Sequence, residues 1–199
     1  MKGVNVRERL IDNAIKVIAA NGLDKTSTKA IVSGTDINEA YIYSNFSDKE
    51  ELLARAFDSL DEELVSKLML HLPIMFTPGL DKESRSRMLF TSIWTFLMGN
   101  REKCIAFIRY YYSPYFIKYS ADDHKLRYRP AVEMFSSVFA DEADVWMILN
   151  YILDVMLSFA VRVHNGHMRE EDDYVEHIFR VIYRSVEQYF KKEENSNDE

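Results

Sequence analysis

Few residues of this sequence have the type and spacing that chemistry requires. His164-x-x-His167 and Glu170 carry metal-ligating side chains, but Gly166 places them in a turn, and they lack the four-ligand spacing of a structural zinc site. Cys104, the only thiol, has no histidine near it in the sequence and is expected to be a small core residue. Glycine-rich phosphate loops and Gly-x-Ser-x-Gly turns are also absent from the sequence. We therefore predict no catalytic residue, no metal site and no cofactor.

The stretch 22–52 has the pattern of a helix-turn-helix. Thr26-Ser27-Thr28 offers a hydroxyl N-cap for a short helix that Gly34 ends, and Asn38 can cap a second short helix that runs to about Asn45. Two short helices joined by a tight turn, with the second polar enough to be exposed, are typical of DNA-binding modules. Ser47 and Glu50, spaced as in a capping box, then predict the start of a long helix.

This stretch also resembles the signature of the TetR family of regulators. Order and spacing match without a gap over about thirty positions, at Gly22, Thr26-Ser27, Ile31-Val32, Thr35-Asp36-Ile37-Asn38, Ala40, Ile42-Tyr43, Asn45-Phe46, Lys49-Glu50 and Leu52. Asp36 stands where the family usually has a turn glycine, and aspartate tolerates that backbone better than most residues. Asn38 replaces the usual serine, and both residues are strong N-caps.

The resemblance implies that the helix after the turn enters the major groove of double-stranded operator DNA. Asn38, Glu39, Tyr41 and Ile42 would lie near base edges. Ser27, Tyr43 and Lys49 would contact phosphates, and Lys29 could reach either target. The full predicted DNA-binding set is Ser27, Thr28, Lys29, Asn38, Glu39, Tyr41, Ile42, Tyr43, Asn45 and Lys49. The helix contains neither arginine nor lysine, so the commonest bidentate contact to guanine is absent.

Composition predicts an all-α protein of about nine helices. Only 6 glycines and 4 prolines occur among 199 residues, which disfavours a fold with many tight turns. The net charge is −7, but residues 1–50, which we call the head, hold seven basic and seven acidic side chains. The excess of acidic residues therefore lies in the rest of the chain, the body. A neutral head on an acidic body is compatible with DNA binding without forming a strong basic footprint. A single cysteine favours the reducing cytoplasm.

Periodicity and breakers predict the remaining organisation. A linker at 71–82 contains both Pro73 and Pro78-Gly79. Helices are then expected at about 83–98, 101–112, 122–139, 144–165 and 171–190. The predicted domains are a DNA-binding domain at 1–50, a helical effector-binding and dimerisation domain at 51–190, and an acidic disordered tail at 191–199.

The last two predicted helices are candidates for a homodimer interface. Between Val145 and Val163 the polar residues stand four apart, so they form one narrow stripe on an otherwise apolar helix, namely Asn150, Asp154, Ser158 and Arg162. These interruptions make the segment a poor transmembrane candidate, and no membrane partner is predicted. Two such helices per subunit would form a twofold four-helix seam. The predicted interface is Trp146, Leu149, Leu153, Leu157, Val175, Ile178, Phe179, Ile182 and Val186.

An effector pocket is predicted from the aromatic residues of the body. Phe90, Trp94 and Met98 share a helix face, and a dense aromatic run follows from Phe107. Such residues are more often plain core than pocket, so both interpretations stay open. The predicted pocket residues are Phe90, Trp94, Met98, Phe107, Tyr110, Tyr111, Asn150 and Asp154. A small, partly apolar or aromatic effector would suit them.

The sequence therefore predicts a ligand-responsive DNA-binding transcriptional regulator and not an enzyme. The resemblance implies a repressor released from a pseudopalindromic operator by a small molecule. The alternative is a helical ligand-binding or interaction protein that has lost DNA binding, which the neutral head and the recognition helix without basic residues favour.

Overall fold

A computed structural model describes residues 5–192, apart from the side chain of Asp172. Over this range the chain forms ten α-helices and two 3-10 helices. The α-helices, α1 to α10, are Val6–Asn21, Thr28–Val32, Ala40–Asn45, Lys49–His71, Lys82–Met98, Arg101–Tyr111, Pro114–Tyr119, Ala121–Phe135, Val145–His164 and Asp172–Val186. The 3-10 helices are Leu72–Phe76 and Glu187–Tyr189. The all-α prediction is confirmed.

Helix α7 was not predicted from the sequence, because Pro114 was interpreted as the end of the preceding helix. Ser113 has an extended backbone, and Pro114 occupies the first helical turn. Proline is well suited to that position, since its missing N–H is one that a helix start leaves unpaired anyway. The predicted linker is also partly folded, because Leu72 and Met75 of the first 3-10 helix are buried.

The chain divides into two compact units. Unit 1 comprises the residues up to Ser66 together with Leu97–Arg127, and unit 2 comprises Lys67–Phe96 together with the residues from Tyr128 on. Helices α4, α5 and α8 each contribute residues to both units. The division of function into 1–50 and 51–190 stays a prediction.

Unit 1 contains the three short N-terminal helices and α6. Helix α1 ends at Asn21, where Gly22 takes a φ of 81° and donates its N–H to the carbonyl of Ile18 at 3.0 Å. Helix α6 packs along α1, and the Arg109 guanidinium donates to the carbonyls of Ile18 and Ala19 at 2.8 and 2.9 Å. A cation at this end of α1 satisfies carbonyls that the helix itself leaves unpaired.

The interior of unit 1 also holds a buried ionic network between α4 and α8. Nδ1 of His124 lies 3.0 and 2.9 Å from the two carboxylate oxygens of Asp61, which is fully buried. Arg127 donates to Asp61 and, at 3.2 Å, to Asp58. The rings of Phe57, Tyr111 and Phe116 surround His124. Buried charges of this kind are retained only when they are paired.

Unit 2 is built around α9, which packs on α10. In the described part of the chain, α9 is the one helix long and apolar enough to span a membrane, a test that core helices also pass. Its residues Ile148, Leu153 and Met156 are buried in the protein. Of the predicted tail, residues 193–199 lie outside the described range, whereas the backbone N–H of Lys191 donates to Val138 at 3.1 Å.

Candidate functional site

The first helix of the helix-turn-helix begins as the sequence predicts. Ser27 is its N-cap, and the Ser27 hydroxyl accepts the N–H of Ala30 at 3.1 Å. Thr28 and Lys29 occupy the first turn, and Lys29 is exposed. Exposed amides, a hydroxyl and a lysine at one helix start can together hold a phosphate.

The turn differs from expectation at Asp36. Among the described residues only glycines have a positive φ, and in this turn the residue is Gly34, with a φ of 74°. Asp36 therefore does not take the conformation of the turn glycine that it was expected to replace. Its carboxylate instead forms an exposed ion pair with Arg9 of α1, and this hydrogen bond lowers the pKa of Asp36. Thr35 closes the turn by accepting the N–H of Ile37 at 3.1 Å.

Helix α3 presents most, but not all, of the predicted base-reading residues. The Asn38 side chain accepts the N–H of Ala40 at 2.9 Å, but the N-cap position of α3 is Glu39, one residue later than predicted. Tyr41 and Tyr43 are 50% and 59% exposed. Ile42 is completely buried, and its prediction as a base contact is wrong, because a side chain in the core of the head offers no surface to DNA.

Three further predicted residues form hydrogen bonds that hold α3 in place. The Thr28 hydroxyl donates to the carboxylate of Glu39, which joins the starts of α2 and α3. The Asn45 amide donates to the carbonyl of Tyr41 at 2.8 Å. These bonds position the short helix, and any DNA contact by Thr28, Glu39 or Asn45 stays a prediction.

The long helix α4 begins one residue later than the predicted capping box implies. Asp48 accepts the N–H of Glu51 at 2.7 Å, and the backbone N–H of Ser47 donates to the Glu51 carboxylate at 2.7 Å. The capping pair is therefore Asp48 with Glu51, and the bonds from Ser47 lower the pKa of Glu51. Lys49, the first helical residue, is partly buried and lies 3.7 Å from Glu50.

Sequence reasoning missed two exposed residues on α3. Ala40 and Ser44 are exposed and stand one helical turn apart, with Tyr41 beside them. Had Ile42 been taken as the buried anchor, the helical period would have placed Ala40, Tyr41 and Ser44 on the outer face. The exposed surface of α3 thus combines a methyl group, a phenol and a hydroxyl without a cationic side chain.

Residues 10–56 match the family model described as bacterial regulatory proteins, tetR family. That range includes most of α1, all of α2 and α3, and the first two turns of α4. This stretch of the chain is similar to the N-terminal region of TetR-family regulators. The similarity supports a DNA-binding transcriptional regulator.

Solved structures share the fold of this chain along nearly its whole length. A TetR family transcription regulator from Marinobacter aquaeolei VT8 has a TM-score of 0.69 at 15% identity, covering 94% of this chain and 96% of its own. A tetR family protein from Shewanella sp. PV-4 has a TM-score of 0.74 at 16% identity, covering 95% and 100%. The multidrug binding protein EbrR, complexed with imidazole, has a TM-score of 0.60 at 15% identity, covering 90% and 95%. No curated protein sequence matches the chain.

Unit 2 contains an apolar cavity of about 70 Å³. Of the eight predicted pocket residues only Phe90 lines it. Phe107, Tyr110 and Tyr111 belong to unit 1, where Phe107 and Tyr110 pack against Phe57 and Tyr111 packs against Phe116. The placement of these three in the effector pocket is wrong, because they fill the core around α4 instead. Burial raises the pKa of Tyr110 to about 12, so its hydroxyl stays protonated.

The other predicted pocket residues also lie outside the cavity. Trp94 lines a separate groove of about 310 Å³ between α5 and α10, together with Arg87 and Glu170. Asn150 donates to the carbonyl of Trp146 in its own helix at 2.7 Å, and Asp154 is partly buried. Met98 is the last residue of α5 and lies in unit 1.

Most of the predicted dimer residues are buried within the single chain. Seven of the nine are at most 8% exposed, namely Leu149, Leu153, Leu157, Ile178, Phe179, Ile182 and Val186. Their assignment to the interface is wrong, because side chains in the core of unit 2 offer no area to a partner. Trp146 and Val175 are partly exposed. The outer face of α9 and α10 carries other apolar side chains, Met147, Tyr151, Tyr174 and Val181.

The remaining candidates for chemistry stay unsupported by geometry. Over residues 5–192, apart from the side chain of Asp172, the structure brings together no group of three metal-ligating side chains. Cys104 is buried, and burial raises the pKa of its thiol to about 12. A thiol in that environment is a poor nucleophile, because the reactive species is the thiolate.

Proposed function

We propose that this protein is a ligand-responsive repressor of the TetR family, released from operator DNA when a small molecule occupies the cavity of unit 2. The observation that carries the proposal is the course of helix α4. It begins at Lys49, four residues after α3 ends, and its residue Leu68 lines the cavity nineteen residues later. One continuous helix thus joins the reading head to the wall of the cavity.

The proposed mechanism uses that continuity. A ligand that enlarges the cavity would displace the end of α4 near Leu68, and a rigid helix of this length would carry the displacement toward its start. The ligand need only favour the displaced state by a modest factor in affinity to release DNA. EbrR shows that a protein of this fold can bind a small molecule.

The DNA-reading surface is proposed to consist of two groups. Base edges would be read by the exposed face of α3, which comprises Asn38, Ala40, Tyr41 and Ser44. Phosphates would be held by Ser27, Lys29, Tyr43 and Lys49. A thymine methyl is the natural target of this face, because apolar and aromatic side chains contact it and no arginine is present for guanine.

We further propose that two copies pair through the outer face of α9 and α10. Tyr151 and Ser185 are hydrogen-bonded at 3.0 Å, which ties the two helices together at that face. Met147, Tyr174 and Val181 provide exposed apolar area around this bond. A twofold pair would match a pseudopalindromic operator in the cytoplasm, and its recognition helices would enter successive major grooves.

The test of DNA binding is retention of fragments of the protein's own upstream DNA at two salt concentrations. We expect salt-sensitive retention of one fragment, and loss of one phosphate contact in Lys49→Ala should lower the logarithmic salt slope by about 1. Lys103→Ala is the matched control, because that lysine of α6 pairs with Glu63 and is not one of the proposed phosphate contacts, so its loss should leave the slope unchanged.

The alternative is a helical ligand-binding protein that no longer binds DNA. The observation in its favour is the absence of a cationic side chain from α3. No retention above random DNA at low salt, combined with ligand binding in unit 2, would support this alternative against the repressor.

A further inference from the structure

The cavity of unit 2 has an apolar lining that contains no charged side chain. Five phenylalanines contribute to it, namely Phe90, Phe135, Phe139, Phe179 and Phe190. The polar side chains that reach it are Ser86 of α5 and Tyr183 of α10. Burial raises the pKa of the Tyr183 phenol, so this group is neutral at ordinary pH.

Ser86 differs from comparable helical serines in the same protein. Ser92, Ser136 and Ser185 each donate to the carbonyl four residues earlier, at 2.9, 2.8 and 2.7 Å. The Ser86 hydroxyl is buried and has no hydrogen-bond partner. An unsatisfied buried hydroxyl destabilises a protein, so this one marks a place where a partner from outside the chain would be favourable.

We propose that the cavity binds a neutral, mainly apolar molecule that carries one hydrogen-bonding group for Ser86. This inference rests on the proposed function, because it names the class of effector for that site. An ionised carboxylate or ammonium would lose its hydration without meeting a counter-charge in the lining, so charged ligands are excluded. Aromatic ligands suit the five phenylalanine rings.

The size of the cavity also relates binding to regulation. A cavity of roughly 150 Å³ holds benzene in another protein. The present volume of about 70 Å³ is smaller, so a ligand of one ring must push the walls apart. Leu68 of α4 is part of those walls, and its displacement is the event that the proposed mechanism requires.

Four probes of matched shape test the ligand class: toluene, benzyl alcohol, benzoate and benzylamine, the last protonated at pH 7. Their dissociation constants for the full chain are measured by calorimetry. We expect benzyl alcohol to bind about tenfold more tightly than toluene, which corresponds to one net hydrogen bond. Benzoate and benzylamine should bind at least 100-fold more weakly than benzyl alcohol.

The variant Ser86→Ala separates the hydroxyl from the shape of the cavity. It should weaken the binding of benzyl alcohol about tenfold and leave the binding of toluene unchanged. Ser92→Ala in the same helix is the control, because that hydroxyl is satisfied by its own helix, and both probes should keep their affinity. Ser86→Ala should melt no lower than the natural protein, since its hydroxyl has no partner to lose.

Three results would overturn the inference: binding of benzoate as tight as that of benzyl alcohol, an unchanged benzyl alcohol affinity in Ser86→Ala, or no binding of either neutral probe. The proposed function is tested separately, by the affinity for the retained DNA fragment with and without saturating benzyl alcohol. If benzyl alcohol binds through Ser86 but DNA affinity is unchanged, the ligand class stands and the release mechanism is contradicted.

Discussion

Among the described residues, the polar and charged side chains that are buried as whole residues belong to unit 1, whereas unit 2 buries only single polar atoms, such as Nε of Arg85. Among the described residues the buried polar side chains are Thr26, Asp58, Asp61, Ser120 and His124, and all five belong to unit 1. Unit 2 instead has an apolar cavity with a single unpartnered serine hydroxyl at its lining. Both interiors exclude water, but they restrict motion to different degrees.

The two kinds of interaction differ in how strongly their energy depends on direction. The bonds from His124 and Arg127 to Asp61 require particular distances and angles, so they hold α4 and α8 in one arrangement. Apolar contacts depend on area and only weakly on direction, so the walls of a cavity can shift without breaking a bond. We infer that the network holds the middle of α4 to α8 within unit 1 and that unit 2 is the region able to yield to a ligand.

The largest expected effect is the loss of the carboxylate at the centre of the network. Asp61→Asn removes one of the two buried carboxylates that pair with Arg127, the other being Asp58, and breaking such a pair should lower the free energy of unfolding by about 3–5 kcal/mol. Urea unfolding measures the change. Glu62→Gln is the comparison, because this exposed carboxylate lies 3.7 Å from the same guanidinium, and it should change stability by less than about 0.5 kcal/mol. A small effect of Asp61→Asn would mean that the network does not hold unit 1 together.

A smaller effect is expected in the apolar part of unit 1. Ile42→Ala removes a completely buried side chain from the head and should cost about 2–4 kcal/mol. Tyr41→Ala, one residue earlier on the exposed face, should leave stability nearly unchanged while weakening DNA binding. Thermal unfolding and DNA retention are measured on both variants. If Ile42→Ala weakened DNA binding without lowering stability, Ile42 would again be a candidate base contact.

Added side-chain volume should act with opposite signs in the two units. Ala106→Val enlarges a fully buried residue of unit 1 and should cost about 1–3 kcal/mol through overpacking. Val186→Ile places one more methylene beside the cavity of unit 2 and should stabilise by up to about 0.8 kcal/mol. Denaturant midpoints compare the two. Destabilisation by Val186→Ile would show that the cavity wall is already tightly packed.

The smallest effect is expected at the exposed pair of Arg9 and Asp36. Its hydrogen bond lowers the pKa of Asp36, so any stabilisation is present above the unfolded value near pH 4 and is lost as the pH falls through the folded value. Because both groups are exposed, salt and water screen the pair. Asp36→Asn should therefore leave the melting temperature at pH 7 unchanged. A clearly lower melting temperature would show that this exposed pair stabilises the protein as the buried network is expected to do.

The prediction of helices in the head succeeded where the sequence signals that start and end a helix are local. The N-cap at Ser27 and the side chain of Asn38 act on backbone groups within three residues of themselves. The same locality explains the error at the start of α4, since Ser47 and Asp48 are both good caps one residue apart. The order of these signals sufficed to predict the similarity of residues 10–56 to TetR-family regulators.

Which face of each helix is buried was decided only by the tertiary structure. Helices α9 and α10 are apolar on more than one side, and the aliphatic stripe predicted to meet a partner is buried in the core of unit 2. The aromatic residues predicted as one pocket are divided between two units for the same reason. A sequence determines where a helix begins and ends, because the hydrogen bonds that do so are made within one turn. It does not determine which apolar face turns inward, because that depends on the surface that a distant helix presents.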